Sequence, residues 1–156
     1  MASGKDEKAK LMIALNVFKQ LLAENNDHFP LLTLDEFFSE NSEEDSIAPN
    51  QWGYGRPPLA EIWEILRKIE LISNVEWVRV TLHYDTEIIE DNGTEILNLA
   101  GESIMVCTDM EADEMEEIVN CEWLCSDGII KSNPALYYSR IPPIPQNYNC
   151  FEIVWD

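Results

Sequence analysis

The clearest pattern of hydrophobic and polar positions runs from Pro58 to Tyr84. In its first half, apolar residues recur at intervals of three and four, which predicts an amphipathic helix beginning at two prolines. That stripe consists of Leu59, Ile62, Trp63, Leu66 and Ile69. From Glu76 the period changes to two, which predicts a strand with two distinct faces. Its predicted core face carries Val78, Val80, Leu82 and Tyr84; the other carries Trp77, Arg79, Thr81 and His83 and is either solvated or the floor of a shallow site.

Three further stretches carry helical patterns. Lys10 to Glu24 has apolar residues at heptad-like spacing, which predicts a helix of about four turns. Thr33 is followed three residues later by Glu36, a capping-box pattern that predicts the start of a short helix. Met110 to Asn120 returns to the helical period, and acids in its first turn suit the positive end of the helix dipole. Its predicted inward residues are Ala112, Met115, Ile118 and Val119.

Strand patterns surround the central helix and strand. Asn92-Gly93 is a strong hairpin signal, because a type I′ turn needs positive φ at both central residues. The predicted strands are Glu76–Tyr84, Thr86–Asp91, Thr94–Leu99 and Ser103–Cys107 in one meander, with a short strand at Glu122–Cys125 and a last one at Cys150–Trp155. The tail from Asn133 to Tyr148 holds four prolines and should run extended over the surface. The prediction is an α+β fold with about three helices packed on one face of a mainly antiparallel sheet (meander).

Length and composition indicate one globular domain. Residues 1–8 are small, polar and charged and are predicted to be a disordered lead, with a single α+β domain over residues 9–156. The four cysteines form no C-x-x-C pair and lie far in sequence from both histidines, so we expect buried or half-buried thiols. No segment resembles a signal peptide and no apolar run could cross a bilayer, so a cytoplasmic location is predicted.

The net charge of the chain limits the kinds of molecule that it could bind. Thirty acids against ten bases give a formal charge of −20, which argues against nucleic acid and against an anionic membrane as ligands. Fourteen Asp and Glu residues, and no Lys or Arg, lie between Arg79 and Lys131. This run indicates either a solvated surface that keeps the protein soluble or an electrostatic docking site for a basic protein.

Two segments are predicted to make up the docking site. The first is the acidic run whose members are Asp109, Glu111, Asp113, Glu114 and Glu117. The second is the loop from Asn50 to Arg56, where glycines flank Tyr54 and allow Trp52 and Tyr54 either to face solvent or to cover the core.

Catalytic and cofactor motifs are missing from the sequence. It contains no nucleophile-elbow, H-E-x-x-H, Walker or Rossmann pattern, and the acids from Asp109 to Asp113 do not fit a calcium loop. We therefore predict no catalytic residue, no metal ligand and no cofactor. The alternatives are a metal-dependent hydrolase that uses clustered carboxylates, or a structural or adaptor domain whose charge serves solubility.

Segments of the chain resemble known bacterial families. Leu34-Asp-Glu-Phe-Phe-Ser-Glu-Asn41, Ser46-Ile47 and Glu102-Ser-Ile-Met-Val-Cys107 are similar to uncharacterised families associated with toxin-immunity neighbourhoods, over roughly residues 34–130. In size, charge and lack of catalytic motifs the chain also resembles the small acidic immunity proteins. The resemblance implies a non-enzymatic inhibitor that neutralises a basic toxin or nuclease domain.

Overall fold

The computed structural model describes residues 14–155. The predicted lead at residues 1–8 and the first residues of the predicted Lys10–Glu24 helix lie outside this range. The helices are α1 (Leu15–Glu24), α2 (Leu34–Phe38), α3 (Leu59–Glu70), α4 (Ala112–Ile118) and α5 (Cys121–Leu124), with short 3₁₀ turns at Glu44–Ser46 and Pro134–Leu136. The strands are β1 (Phe29–Pro30), β2 (Val75–Leu82), β3 (Glu87–Asp91), β4 (Thr94–Asn98), β5 (Gly101–Thr108), β6 (Gly128–Ser132), β7 (Tyr138–Ser139) and β8 (Asn149–Val154).

Local signals set several of these elements. The capping box at the start of α2 forms as predicted: the Glu36 N–H donates to Thr33 Oγ1 at 3.1 Å, and the Thr33 N–H donates to Glu36 Oε1 at 2.8 Å. Asn92 and Gly93 both have positive φ, at 53° and 81°, as the hairpin turn between β3 and β4 requires. Helix α3 buries most of the predicted stripe, with Trp63 partly covered.

The main sheet has four strands in the order β2-β5-β8-β6, and all its pairings are antiparallel. The α+β class, the mainly antiparallel sheet and about three substantial helices agree with the sequence prediction. The strand order does not follow a meander, because β2 pairs directly with β5 and the β3–β4 hairpin forms a separate two-stranded sheet. Strand β1 pairs in parallel with β7.

Helices cover one face of the main sheet. The main core joins Phe18 of α1, Phe37 of α2, Ile62 of α3 and Met115 of α4 to the sheet residues Val78, Val80, Ile104 and Ile153, all at 1% exposure or less. A domain of this size gains most of its stability from such burial.

The opposite face of the sheet is also covered. Leu31, Trp77, Met105, Cys107 and Cys150 form a second buried cluster, against which Tyr138, Ile141 and Tyr148 of the proline-rich segment pack. The Trp77 indole N–H donates to the Pro143 carbonyl at 3.1 Å and fixes this segment to the sheet. Trp77 and Thr81 of the mixed face are therefore buried, whereas His83, which follows the last residue of β2, stays partly exposed.

The structure corrects three local predictions. Residues 122–125 belong to helix α5 and its C-cap, because Asn120 caps that helix by accepting from the Trp123 N–H at 3.1 Å. Tyr84 is 81% exposed rather than in the core, because β2 ends at Leu82. Ala112 lies exposed on α4, whereas Met115 and Val119 are buried as predicted.

Candidate partner-binding surface

Helix α4 positions the predicted acidic run. Met115 and Val119 anchor the helix and the residue after it in the main core, which turns the acids toward solvent. Asp109, Glu111, Asp113, Glu114 and Glu117 are all exposed. The Glu111 N–H donates to Glu114 Oε1 at 3.2 Å, so the Glu114 carboxylate also satisfies a free N–H at the start of the helix. That carboxylate therefore has a structural role that the sequence analysis did not assign.

Within the part of the chain that the structure describes, the acids of residues 109–127 have no cationic partner. Eight Asp and Glu residues lie between residues 109 and 127, and within residues 14–155 none of them is in an ion pair. Asp113 and Glu117 lie on the exposed part of the helix, and their side chains make no hydrogen bond in the described part of the chain. Their charges are free to act on an approaching molecule.

Most cations of the described residues lie away from these acids, and Lys131 of β6 is exposed and makes no ion pair within residues 14–155. Arg67, Arg79 and Arg140 lie in one mixed cluster with Asp35, Glu36 and Glu70, on α2, α3, β2 and the segment after β7. Arg140 donates two hydrogen bonds to the Glu36 carboxylate, one from each of its terminal nitrogens, at 2.6 and 2.8 Å. Burial raises the pKa of Glu70, and the charge of Arg79 opposes that shift. Lys19 and Lys68 pair with Glu95 and Glu64.

A buried arginine holds the loop that carries the predicted aromatic residues. The Arg56 side chain has no exposed surface. Its Nη1 donates to the carbonyls of Glu44 and Ile47, the latter at 2.6 Å, and its Nε donates to the Pro57 carbonyl at 3.0 Å. Its Nη2 pairs with Glu44 Oε1 at 2.7 Å. One guanidinium thus connects the segment before the loop, at Glu44 and Ile47, to the end of the loop at Arg56 and Pro57.

Trp52 and Tyr54 face solvent rather than the core. Tyr54 is 83% exposed, and Trp52 is 38% exposed with its ring stacked on the Arg56 guanidinium at 4.5 Å. Gly55, at a φ of 117°, passes so close to Cys125 that an added Cβ would lie 3.3 Å from its sulfur. Because Cys125 caps α5, which directly follows α4, the aromatic loop and the acidic helix are joined through α5.

A groove of about 760 Å³ is lined by residues between 43 and 50, which lead into this loop, and by residues around His83 and Glu102. Its carboxylates come from Glu43, Asp45, Asp85 and Glu102. His83 lies among them, with Nδ1 3.4 Å from Asp85 Oδ2 and Nε2 3.5 Å from Glu102 Oε2. The Asp85 N–H donates to Nδ1 at 3.0 Å, which places the proton of a neutral ring on Nε2, facing Glu102.

Another carboxylate, that of Glu152, lies on the face of the sheet opposite the helices. Glu152 is 9% exposed and accepts hydrogen bonds from the hydroxyls of Ser103 and Ser132, at 2.9 and 2.6 Å. Ser103 also exchanges a 2.7 Å hydrogen bond with Thr81. These hydroxyl donors satisfy the carboxylate inside the fold, which is a structural role.

The described residues form no cluster of metal ligands. Within residues 14–155 no group of three or more His, Cys, Asp or Glu side chains is arranged to hold a metal ion. The four cysteines are free thiols; Cys107 and Cys150 are buried and face each other across β5 and β8. No helix among the described residues is both long and apolar enough to span a membrane.

Comparison with known proteins places the chain in a family. The model of the uncharacterized protein YfbO family matches residues 13–153. The chain belongs to this family. Comparison with curated proteins and with solved structures finds no match. The family is uncharacterised, which agrees with the resemblance of the sequence to uncharacterised families.

The groove around His83 is the part of this surface that the sequence analysis missed. Glu43 and Asp45 come from a loop some forty residues before His83, and Glu102 comes from β5. The pairing of Leu82 with Gly101 brings Glu102 beside His83, and that register was not predicted. A correct β2–β5 pairing would have been the signal for the Glu102 contact, whereas nothing in the sequence placed Glu43 and Asp45 there.

Proposed function

We propose that this chain is a non-enzymatic binding protein that neutralises a basic protein by covering its functional surface. The observation that carries the proposal is the separation of charge: within the described residues the acids of residues 109–127 make no ion pair, whereas Arg67, Arg79 and Arg140 are gathered with acids of α2 and α3. A surface of one sign favours a partner of the opposite sign and accelerates its approach, by about 10–10³-fold at low salt.

The mechanism is occlusion. Carboxylates of Asp113, Glu117 and their neighbours pair with Lys and Arg side chains that the partner uses to hold its own substrate. Tyr54 and Trp52 supply aromatic contact area, which is where the affinity of protein interfaces is concentrated. Because Arg56 holds their loop in place, little conformational entropy is lost when they bind.

A toxin or nuclease domain is the partner class that we propose. The resemblance to small acidic immunity proteins supports it, and so does the charge, since a nuclease must present a basic surface to its nucleic acid. An immunity protein is expected to be encoded directly downstream of its toxin, so the product of the preceding gene is the first partner to test.

The test is to measure binding of that product to matched charge variants. We expect the double variant Asp113→Lys and Glu117→Lys to slow association about tenfold and to weaken its salt dependence. The control is Glu61→Lys and Glu64→Lys, which makes the same change of net charge on the exposed side of α3 and should leave association nearly unchanged.

Two outcomes would refute the proposal. If both double variants slow association equally, net charge acts and the surface of residues 109–127 does not. If the preceding gene's product does not bind, and its activity is undiminished by an excess of this chain, the proposed neutralisation is wrong.

A further inference from the structure

Among the described residues, strand β6 is an open edge of the main sheet. It pairs with β8 on one side, and within the described residues the backbone of residues 129–132 makes no hydrogen bond to any other element. The opposite edge is occupied at one position, where Leu32 and Val80 exchange two backbone hydrogen bonds along the outer side of β2, at 3.0 and 2.7 Å.

An open edge presents a row of N–H and C=O groups to which another strand can bind. Natural sheets protect such edges with charges, prolines, bulges or covering elements. Strand β6 contains no proline and carries one charge, Lys131, beside an Ile130 that is 52% exposed. It therefore offers both backbone partners and apolar contact area.

Acidic side chains surround this edge. Glu116, Glu117 and Glu122 line one shallow depression, of about 490 Å³, together with Gly128 at the start of β6. Asp127 directly precedes the strand and is exposed. A segment laid along β6 would enter this negative field, so a basic segment is favoured and an acidic one is repelled. A second copy of this chain would bring the same acids, and a charge of −20, to the same place.

The two sides of β6 differ in character. Ile129 packs against the main core on the side of the helices, so Ile130 points to the other face of the sheet. An added strand would alternate in the same way. Its residues facing the helices would meet the acids of α4 and α5, and its other residues would lie beside Ile130.

We propose that β6 accepts an extended segment of the basic partner as a fifth strand of the sheet, with Lys or Arg alternating with apolar residues. This inference rests on the proposed function, because the basic partner is the source of the segment. Main-chain hydrogen bonds would supply affinity and the alternating side chains would supply specificity.

The test uses the full chain and two synthetic peptides of equal charge. One is acetyl-(Lys-Val)4-amide; in the other, two of the valines are replaced by proline, whose fixed φ disfavours a regular strand whichever edge of the peptide faces β6. At low salt we expect the first peptide to bind about tenfold more tightly than the second, which is a difference of a few net hydrogen bonds. Amide hydrogen exchange, followed by NMR, should show new protection in residues 129–132 with the first peptide.

Proline variants of the protein provide the matched control. Successive residues of a strand direct their N–H groups to opposite edges, so of Ile130→Pro and Lys131→Pro one removes a ladder bond to β8 and the other removes an outward N–H. The variant that keeps the thermal midpoint is the informative one. It should lose the preference for the first peptide while still binding both peptides weakly through charge.

Each remaining outcome decides the matter. If both peptides bind equally and residues 129–132 stay unprotected, strand addition is wrong although the acidic surface still binds bases. If neither peptide binds, the proposed function fails with it. If sedimentation shows a dimer that the informative proline variant abolishes, the occupant of β6 is a second copy and the proposal is overturned.

Discussion

Replacing Arg56 with alanine tests how the loop of residues 43–57 is held. The side chain is fully buried and donates to three backbone carbonyls, those of Glu44, Ile47 and Pro57, as well as to the Glu44 carboxylate. In the alanine variant these carbonyls lose their donor. An acceptor left unsatisfied on burial costs about 1–3 kcal/mol.

The expected loss of stability follows from these contacts. Three carbonyls at the lower end of that range, together with the lost ion pair, give about 3–4 kcal/mol. The Glu44 side chain is 36% exposed and recovers part of its hydration, so the ion pair adds less than a fully buried one would. For a chain of this length each kcal/mol lowers the melting temperature by about 2–4 °C, so we expect a drop of about 10 °C.

The assay is urea and thermal unfolding followed by circular dichroism, with two comparison variants. Arg56→Lys keeps the charge but lacks the planar fork of donors, so it should lose about half as much. Arg67→Ala is the matched control: Arg67 also stacks on a tryptophan, at 3.9 Å from the Trp63 ring, but its side chain is 55% exposed and its ion pair spans 3.9 Å. Its loss should stay below about 1 kcal/mol. Equal losses for Arg56→Ala and Arg67→Ala would show that the carbonyls around Arg56 are not dependent on it.

Two further predictions concern acid stability and thiol reactivity. Burial alone would raise the pKa of Glu36, but hydrogen bonds from Arg140 and Thr33 outweigh burial and lower that pKa below its usual 4.5. The ionised Glu36 carboxylate therefore stabilises the fold above about pH 4.5, and this contribution is lost as the pH falls through the lowered pKa. Glu36→Gln should therefore be less stable than the parent at pH 7, by on the order of 1 kcal/mol, and equally stable near pH 3 in urea titrations; a gap independent of pH would contradict this. Cys121 and Cys125 are half-buried and should react quickly with Ellman's reagent, whereas Cys107 and Cys150 are buried and should react only when the protein unfolds. Equal reaction rates for all four thiols would refute this prediction.

The elements that the sequence predicted correctly are those specified by neighbouring residues. The capping box of Thr33 and Glu36, the turn at Asn92-Gly93 and the apolar stripe of α3 each depend on contacts within a few positions. The exposure of the acids on α4 also follows from a local pattern, since Met115 and Val119 fix which side of the helix is buried.

The features that the sequence did not predict depend on distant pairings. Strand β8 comes from the end of the chain and inserts between β5 and β6, so the order of the sheet could not be read from successive strands. Strand β6 was missed because its five residues show no clear alternation, and the groove around His83 was missed because loops and strands far apart in sequence line it. The sequence allowed Trp52 and Tyr54 either to face solvent or to cover the core. In the structure Arg56 occupies the buried position and bonds to Glu44, and Trp52 stacks on its guanidinium from outside.

The separate placement of acids and arginines has a consequence for how the molecule turns in an electric field. Arg67, Arg79 and Arg140 lie among acids around α2, α3 and β2, whereas the acids of residues 109–127 make no ion pair within the described residues, so negative charge is less compensated along residues 109–127. Molecules approaching a cationic resin or electrode would therefore rotate before contact and adsorb by one side. Molecules immobilised in this way would share one orientation.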